Sequence, residues 1–351
     1  MTEIRISDVA KAAGVSKATV SLALNGAPGR VSASTQEKIR RVAREIGYVP
    51  NPLARGLRTQ STHTIGLVAE RVATTPFAGR MISGAQAVAR AHGHLVILID
   101  TDGRREDEEQ AIETLSHHRV DGLIYAKMFH QVIEAPQNLP SSAVLMNCRS
   151  AAGPWAAVVP DDDAGGRAAA RELVAAGHRR IAYIRSTTVP IPVASAIRQH
   201  AYLDVLAEAG IAADAELQVG AENNARGGRE AMAKLWRLPP SRRPTAVFAF
   251  NDQVAMGVYA FAAQNHIDIP RELAVVGFDD HDLIAPELEP ALTTVSLPHE
   301  AMGRWAMEVA LGVRASPSDG SAHLMPCPLV RRDSVSAQSP PAGGLPASLG
   351  S

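Results

Sequence analysis

Between Ile65 and Phe278, short apolar runs alternate with amphipathic helical stretches, and this alternation leaves few folds open to the chain. The runs are residues 65–69, 94–99, 120–126, 143–147, 156–159, 180–184, 245–250 and 273–278. Helical patterns occupy many of the intervals, at 80–92, 105–117, 163–176, 195–209, 227–236 and 252–264. Strands that are apolar nearly end to end, with helices between them, specify parallel sheets covered on both faces. The units are too many for one ordinary sheet. The expected fold is α/β, with two doubly wound parallel-sheet lobes and a cleft at the carboxyl ends of their strands.

The first sixty residues have a different texture and read as a small all-α unit. Ser7 is placed to cap a helix running to Ala13, with Asp8 in its first turn, and Gly14 ends it. Ser16 caps a second helix, 17–24, which Asn25-Gly26 stops. Two short helices joined by a few residues with glycine in the turn have the spacing of a helix-turn-helix. Val9, Ala10, Val15, Val20 and Leu24 supply an apolar seam. A third helix, opened by residues 32–35, runs over 36–46 with Ile39, Val42, Ala43 and Ile46 at helical spacing. Pro50 and Pro52 interrupt, and 53–58 is a brief helical candidate.

Charge separates the two parts. The net charge is −1, yet residues 1–60 hold ten Lys/Arg against four acids, leaving 25 bases against 32 acids for the rest. A basic head on an acidic body points to a polyanionic partner for the head.

Composition removes other classes. At 46% hydrophobic and 20% charged, the chain can bury a sizeable core. Cys148 and Cys327, its two cysteines, cannot frame a disulfide scaffold. No apolar run approaches the ~20 residues that span a bilayer, and the N-terminus has no apolar signal core, so a cytoplasmic protein with no membrane partner is expected. No Gly-x-Gly-x-x-Gly follows the first strand, and phosphate-loop and serine-nucleophile contexts are absent. His117-His118 cannot share a helix face as metal ligands, and Asp161-Asp162-Asp163 reads as caps and dipole partners rather than a cation site. No enzyme activity, metal or cofactor is expected.

The run from Ile6 to Ser21 resembles the DNA-binding headpiece of the lac repressor family. The resemblance continues through Val31-Ser32, Ile46-Gly47-Tyr48-Val49-Pro50-Asn51 and Ala54-Arg55-Gly56-Leu57. It extends over nearly the whole chain, through Val120-Asp121-Gly122-Leu123-Ile124, Ala176-Gly177-His178-Arg179-Arg180-Ile181-Ala182, Asn251-Asp252, Val276-Gly277-Phe278-Asp279-Asp280 and Leu292-Thr293-Thr294-Val295. It implies a headpiece at 1–49, a hinge helix and linker at 50–62, and a two-lobed effector and dimerisation domain at 63–332, of the type I periplasmic-binding-protein kind. The tail at 333–351, rich in Ser, Pro, Ala and Gly, reads as disordered and has no leucine heptad for a coiled coil.

The resemblance also implies a function: a transcription regulator, most simply a repressor. It would bind a pseudo-palindromic operator as a homodimer, under control of a small ligand between the lobes. For DNA it points to Ser16, Lys17, Ala18, Thr19, Ser21, Leu22 and Asn25 in the headpiece, and to Arg55 and Leu57 in the hinge. Lys17 suits guanine O6/N7, and Ala18 or Leu22 a thymine methyl, while Thr19 and Ser21 suit phosphate. Leu22 stands where family members often carry a polar residue, so either base contact or headpiece packing is open to it. Leu57 matches the family's minor-groove wedge. For the ligand it points to Phe77, Asp161, Arg198, Asn223, Asn251 and Asp279. Asp161 has either a ligand or a switch role, and Asp252 and Asp280 read as caps. The polar Glu222-Asn223-Asn224, where relatives often have an aromatic, favours a hydroxylated ligand such as a sugar over a stacked purine. Pro190 and Pro192 make the neighbouring loop unlike the family's usual pattern, so the ligand's identity does not carry over.

Overall fold

The computed structural model describes residues 4–24, 30–48, 61–72, 79–189, 191–317 and 321–337. The chain divides into two units, Met1–His63 and Thr64–Ser351.

The first unit holds α1 (Ile6–Ala13), α2 (Lys17–Leu24) and α3 (Ala33–Glu45). The start of α1 differs from the sequence reading. Ser7 lies inside the helix, and the Arg5 backbone N–H donates to the Asp8 carboxylate at 2.8 Å. Asp8 can do this because the third helical position faces back over the free N–H groups. Gly14 ends the helix at φ 66°, the left-handed region in which glycine bears no Cβ penalty. Ser16 Oγ accepts from Thr19 N–H at 3.0 Å and so caps α2, and Ser32 Oγ accepts from Thr35 N–H at 3.3 Å to cap α3. Val9, Ala13, Val20, Ala23 and Ile39 are fully buried between the three helices. Too few apolar side chains are left to build a larger core, so the unit stays small.

The second unit is the pair of lobes. The first lobe contains β1 (Thr64–Glu70), α4 (Gly79–Ala91), β2 (Leu95–Thr101), α5 (Arg105–His117), β3 (Gly122–Ile133), β4 (Val144–Ser150) and β5 (Ala156–Pro160). The chain then crosses to the second lobe with α6 (Asp162–Ala175), β6 (Ile181–Ser186), α7 (Val193–Glu208), β7 (Gln218–Ala221), α8 (Ala225–Trp236), β8 (Ala246–Ala249), α9 (Asp252–Gln264), β9 (Ala274–Asp279) and β10 (Thr293–Ser296). It returns through α10 (His299–Ala310) and β11 (His323–Met325) to the first lobe, and ends with β12 (Leu329–Val330) on the second.

Among the described residues each lobe has a six-stranded sheet, ordered β11-β5-β4-β3-β1-β2 and β12-β10-β9-β8-β6-β7. Every pairing is parallel except β10 with β12. Both orders reverse direction beside the first strand of the lobe, and the crevice outside the carboxyl ends at such a point is where ligands bind in open α/β sheets.

The return through α10 is fixed by glycine. A Cβ on Gly303 would lie 2.0 Å from the Met81 carbonyl oxygen, and one on Gly84 would lie 2.1 Å from that of Glu300. Only residues without a side chain let α4 and α10 approach this closely.

The expected disordered tail is corrected at its start. Ser334 is fully buried; its hydroxyl donates to Val275 O at 2.6 Å and accepts from Thr293 N–H at 2.8 Å. Polar composition suggested a tail, but these bonds tie Ser334 to the adjacent strands β9 and β10 of the second sheet. Residues 338–351 lie outside the described residues.

Candidate nucleic-acid interface and effector cleft

In α2, Val20 and Ala23 face the headpiece core, which turns Ser16, Lys17 and Ala18 outward to solvent. Thr19, Ser21 and Leu22 are half-buried at the edges of that face. The cap fixes more than the helix start. Ser16 Oγ and Thr19 Oγ1 lie 2.8 Å apart, so the two hydroxyls hold each other where the helix begins. An exposed helix N-terminus carrying a lysine and hydroxyl donors is suited to a phosphate-flanked groove. Asn25, Arg55 and Leu57 lie outside the described residues.

The cleft is built where the chain crosses between the lobes. Asp161 caps α6, its carboxylate accepting from Ala164 N–H at 3.0 Å. The next residue, Asp162, begins the helix with its side chain fully buried. One of its oxygens takes Nε and Nη2 of Arg198, each at 2.7 Å, and the other takes His130 Nδ1 at 2.7 Å. Arg198 Nη1 donates to Phe250 O at 2.8 Å, and the guanidinium lies between the rings of Phe250 and Phe278, 4.8 and 3.4 Å from their centroids. A charged hydrogen-bonded pair between aromatic faces is a favourable way to hold a guanidinium out of water. Burial would push the Asp162 carboxyl up, but Arg198 and His130 together hold it below the ordinary aspartate value.

His130 comes from β3 in the first lobe, so its bond to Asp162 crosses the lobes. Arg80 of α4 forms a second link, an ion pair with Asp282 in the loop after β9. Around this cross-tie Arg198, Asn251 and Asp279 line a small inner cavity of about 30 Å³ with His130, Asn147 and His299. A larger outer cavity of about 680 Å³ shares Met128, Phe129 and Asn251 with it and is flanked by Thr188, Glu222 and Asn223.

Three polar side chains of these cavities have buried atoms without a partner among the described residues: His130 Nε2, Asn147 Oδ1 and both amide atoms of Asn223. Buried polar atoms are nearly always satisfied, so such a cluster marks a place for a ligand or ordered water. The Asp279 carboxylate has no hydrogen bond among the described residues, and burial with Asp252 and Asp162 nearby holds its pKa well above the ordinary value. His299 is pushed down to about 4, first by burial and then by the Arg80 and Arg198 charges, so its ring is neutral near pH 7.

Five of the six sequence-predicted ligand residues are described. Arg198, Asn251 and Asp279 meet in the inner cavity, and Asn223 stands in the outer one. Asn251 also caps α9, its Oδ1 accepting from Val254 N–H at 2.9 Å. Asp161 faces its own helix, while Asp162 meets Arg198. Phe77 lies outside the described residues.

Two expected caps are corrected. Asp252 is fully buried and accepts from Thr294 Oγ1 at 2.6 Å and His281 N–H at 2.7 Å. Gly277 leaves it the space, since a Cβ there would lie 2.2 Å from Asp252 Oδ1. Asp280 accepts from Arg332 Nη2 at 2.7 Å.

The comparisons agree with both halves of this architecture. The model of the lacI family of bacterial regulatory proteins matches residues 5–51, and that of a periplasmic binding protein-like domain matches residues 170–335. The HTH-type transcriptional regulator GalR of Escherichia coli (strain K12) is 36% identical over 338 residues, 95% of this chain and 96% of its own length. The chain belongs to the lacI family. The ribose operon repressor of the same strain is 31% identical over 334 residues, 93% of this chain and 97% of its own. A solved complex of the transcriptional regulator CelR with cellobiose aligns with a TM-score of 0.65 at 28% identity, over 94% of this chain and 99% of its own. This lacI-family chain is thus a DNA-binding transcription regulator and not an enzyme, and no helix among its described residues is long and apolar enough to cross a membrane.

His130, Asn147, Asp162 and His299 escaped the sequence reading. Asp162 had a signal: a buried arginine needs a carboxylate, and only one acid of Asp161-Asp162-Asp163 is needed as a cap. His130 had none, because β3 was expected to end at residue 126, whereas it runs to Ile133 past a register shift between Ala126 and Gln131.

Proposed function

We propose that this regulator is a repressor that binds a pseudo-palindromic operator as a homodimer, in the cytoplasm, and that a small hydroxylated ligand, a sugar or sugar derivative, controls it. The cluster of unpartnered buried polar atoms in the inter-lobe cleft carries the ligand half of this reading. Relatives named for ribose and a neighbour solved with cellobiose favour a carbohydrate. Arg198 keeps two of its five N–H groups for that ligand after its bonds to Asp162 and Phe250. Asn223, Asn251 and Asp279 add polar contacts. Phe77 supplies a stacking face, and Asp161 acts at the first crossover.

In the DNA half, Lys17, Ala18 and Leu22 read bases, while Ser16, Thr19, Ser21 and Asn25 hold phosphates. Residues 50–62 form the hinge, with Leu57 as wedge and Arg55 on the backbone. The homodimer reading has its own support. The edge strand β2 turns Leu95 and Ile97 to solvent, 73% and 40% exposed, and an unpaired edge carrying apolar residues favours a partner.

Selection of DNA sequences at fixed salt, followed by titration of the complex with neutral sugars, tests the reading. An inverted-repeat sequence should emerge, and one sugar should change its affinity. A selected site without two-fold symmetry would refute the dimer reading, and indifference to every sugar would refute the ligand class.

A further inference from the structure

Resting on the sugar reading above, we infer that the inner end of the cleft recognises a neutral hydroxyl-bearing group, which donates to His130 Nε2 and Asn147 Oδ1, and that it excludes an anionic group. Both side chains are held in one orientation by bonds made behind the cavity. Asn147 Nδ2 donates to the carbonyl oxygens of Lys127 at 3.1 Å and Met128 at 2.9 Å. Carbonyls only accept, so the amide cannot be flipped, and Oδ1 is the atom left facing the cavity. Asn147 is also held at φ 58°, a backbone conformation asparagine tolerates better than most residues. In His130, Nδ1 lies 2.7 Å from an Asp162 oxygen that is an acceptor. The Nδ1–H therefore donates to Asp162, and on that tautomer Nε2 is a bare acceptor. Both residues are more than nine-tenths buried, and neither free atom has a partner among the described residues.

Two buried acceptors call for two donors from the ligand. Two hydroxyls of a sugar supply them, and their oxygens still accept from Arg198. A phosphate or carboxylate oxygen supplies none and would face lone pairs. Charge acts in the same direction. Arg198 is the one arginine or lysine lining the inner cavity among the described residues, and Asp162 already matches it. His299 is neutral there near pH 7. The inner space of about 30 Å³ admits hydroxyls reaching in from a sugar ring that has the outer 680 Å³.

Calorimetry on the full-length protein tests this with D-ribose, D-galactose, D-glucose and cellobiose, each set against a phosphate ester or uronic acid of the same sugar. The neutral sugar that binds best should lose most of its affinity as the charged derivative that puts the anion inward. His130→Asn is the informative variant: its amide still donates to Asp162 but has no atom at the Nε2 position. It should melt within a few degrees of the wild type and bind the sugar about tenfold more weakly. A series of deoxy sugars should contain one whose deficit of about tenfold in the wild type disappears in His130→Asn. A phosphate ester binding as tightly as its parent sugar in every position would overturn the inference. So would equal deficits for every deoxy sugar in both proteins, which leaves the sugar reading standing. No binding by any neutral sugar overturns both.

Discussion

Replacing Arg198 by alanine should cost the effector domain about 3–5 kcal/mol, and the size of that loss follows from what Arg198 holds. Its partner Asp162 has a side chain at 0% exposure and Arg198 is at 4%, so water screens neither. Removal leaves a buried carboxylate with His130 as its remaining partner, and breaking such a pair from one side costs about 3–5 kcal/mol. The bond to Phe250 O and the contacts with the Phe250 and Phe278 rings go as well. Denaturant unfolding followed by tryptophan fluorescence measures the loss, which corresponds to about 10 °C in melting temperature for a unit of this size. The double variant Arg198→Met, Asp162→Asn removes both charges and should recover most of it, giving a coupling of about 2 kcal/mol or more. Acid should narrow the gap between wild type and Arg198→Ala. Asp162 is held below its ordinary pKa in the wild type, so its contribution is present above pH ~4 and vanishes once the carboxyl is protonated. A single-variant loss under about 1 kcal/mol, or a double variant as unstable as the two singles summed, would refute this account of the cluster.

Lys17→Ala should weaken operator binding by about 1–3 kcal/mol and relax base preference at one symmetric pair of positions, which a sequence-selection assay would show; a uniform fall across all sequences would make Lys17 a phosphate contact. Leu95→Asp on the exposed edge of β2 should shift the protein toward monomer in sedimentation velocity while leaving each lobe folded, and an unchanged dimer would place the interface elsewhere. His299→Gln isolates one acid-sensitive group. The folded pKa of His299, about 4, lies below its unfolded 6.5, so wild type loses stability as pH falls through that window, by about 3 kcal/mol relative to the variant between pH 7 and 4. Asp252, raised by burial to about 7, has the opposite sign over the same window, so the comparison must be with the variant and not with wild type at neutral pH alone.

The lobes were legible because β5 and β8 are apolar from end to end and β1, β6 and β9 through all but their ends, the pattern of a doubly covered parallel sheet. The headpiece was legible because Gly14, Ser16 and Ser32 do local chemistry that needs no tertiary context. What did not show was whatever depends on the return of the chain. β7, β10, β11 and β12 have two to four residues each, too short to establish a period. α10 is amphipathic like any other helix, and nothing local says that it leaves the second lobe to pack on α4. Arg198, Asn251 and Asp279 were found in the sequence through resemblance, Asn251 and Asp279 at a strand's carboxyl end and Arg198 inside α7. His130 and Asn147 could not be, since their importance lies in atoms that the fold leaves unpaired.

The position of the cross-tie explains how a small ligand can move the lobes. The chain crosses between them at Asp161, at residues 297–298 and at residues 326–328, and two of these crossings deliver a cluster residue directly: Asp162 opens α6 and His299 opens α10. Lobe rotation must therefore alter the distances from His130 on the first lobe to Asp162 and Arg198 on the second. A ligand shifts such an equilibrium only through its differential affinity for the two arrangements. A buried hydrogen bond contributes about 0.5–1.5 kcal/mol net, so two or three bonds available in one arrangement alone supply about 1–4 kcal/mol. That covers the ~1–3 kcal/mol typical of allosteric coupling, roughly 5–150-fold in affinity. On the proposed reading, a few hydroxyl contacts at the cross-tie are thus sufficient to shift the lobes.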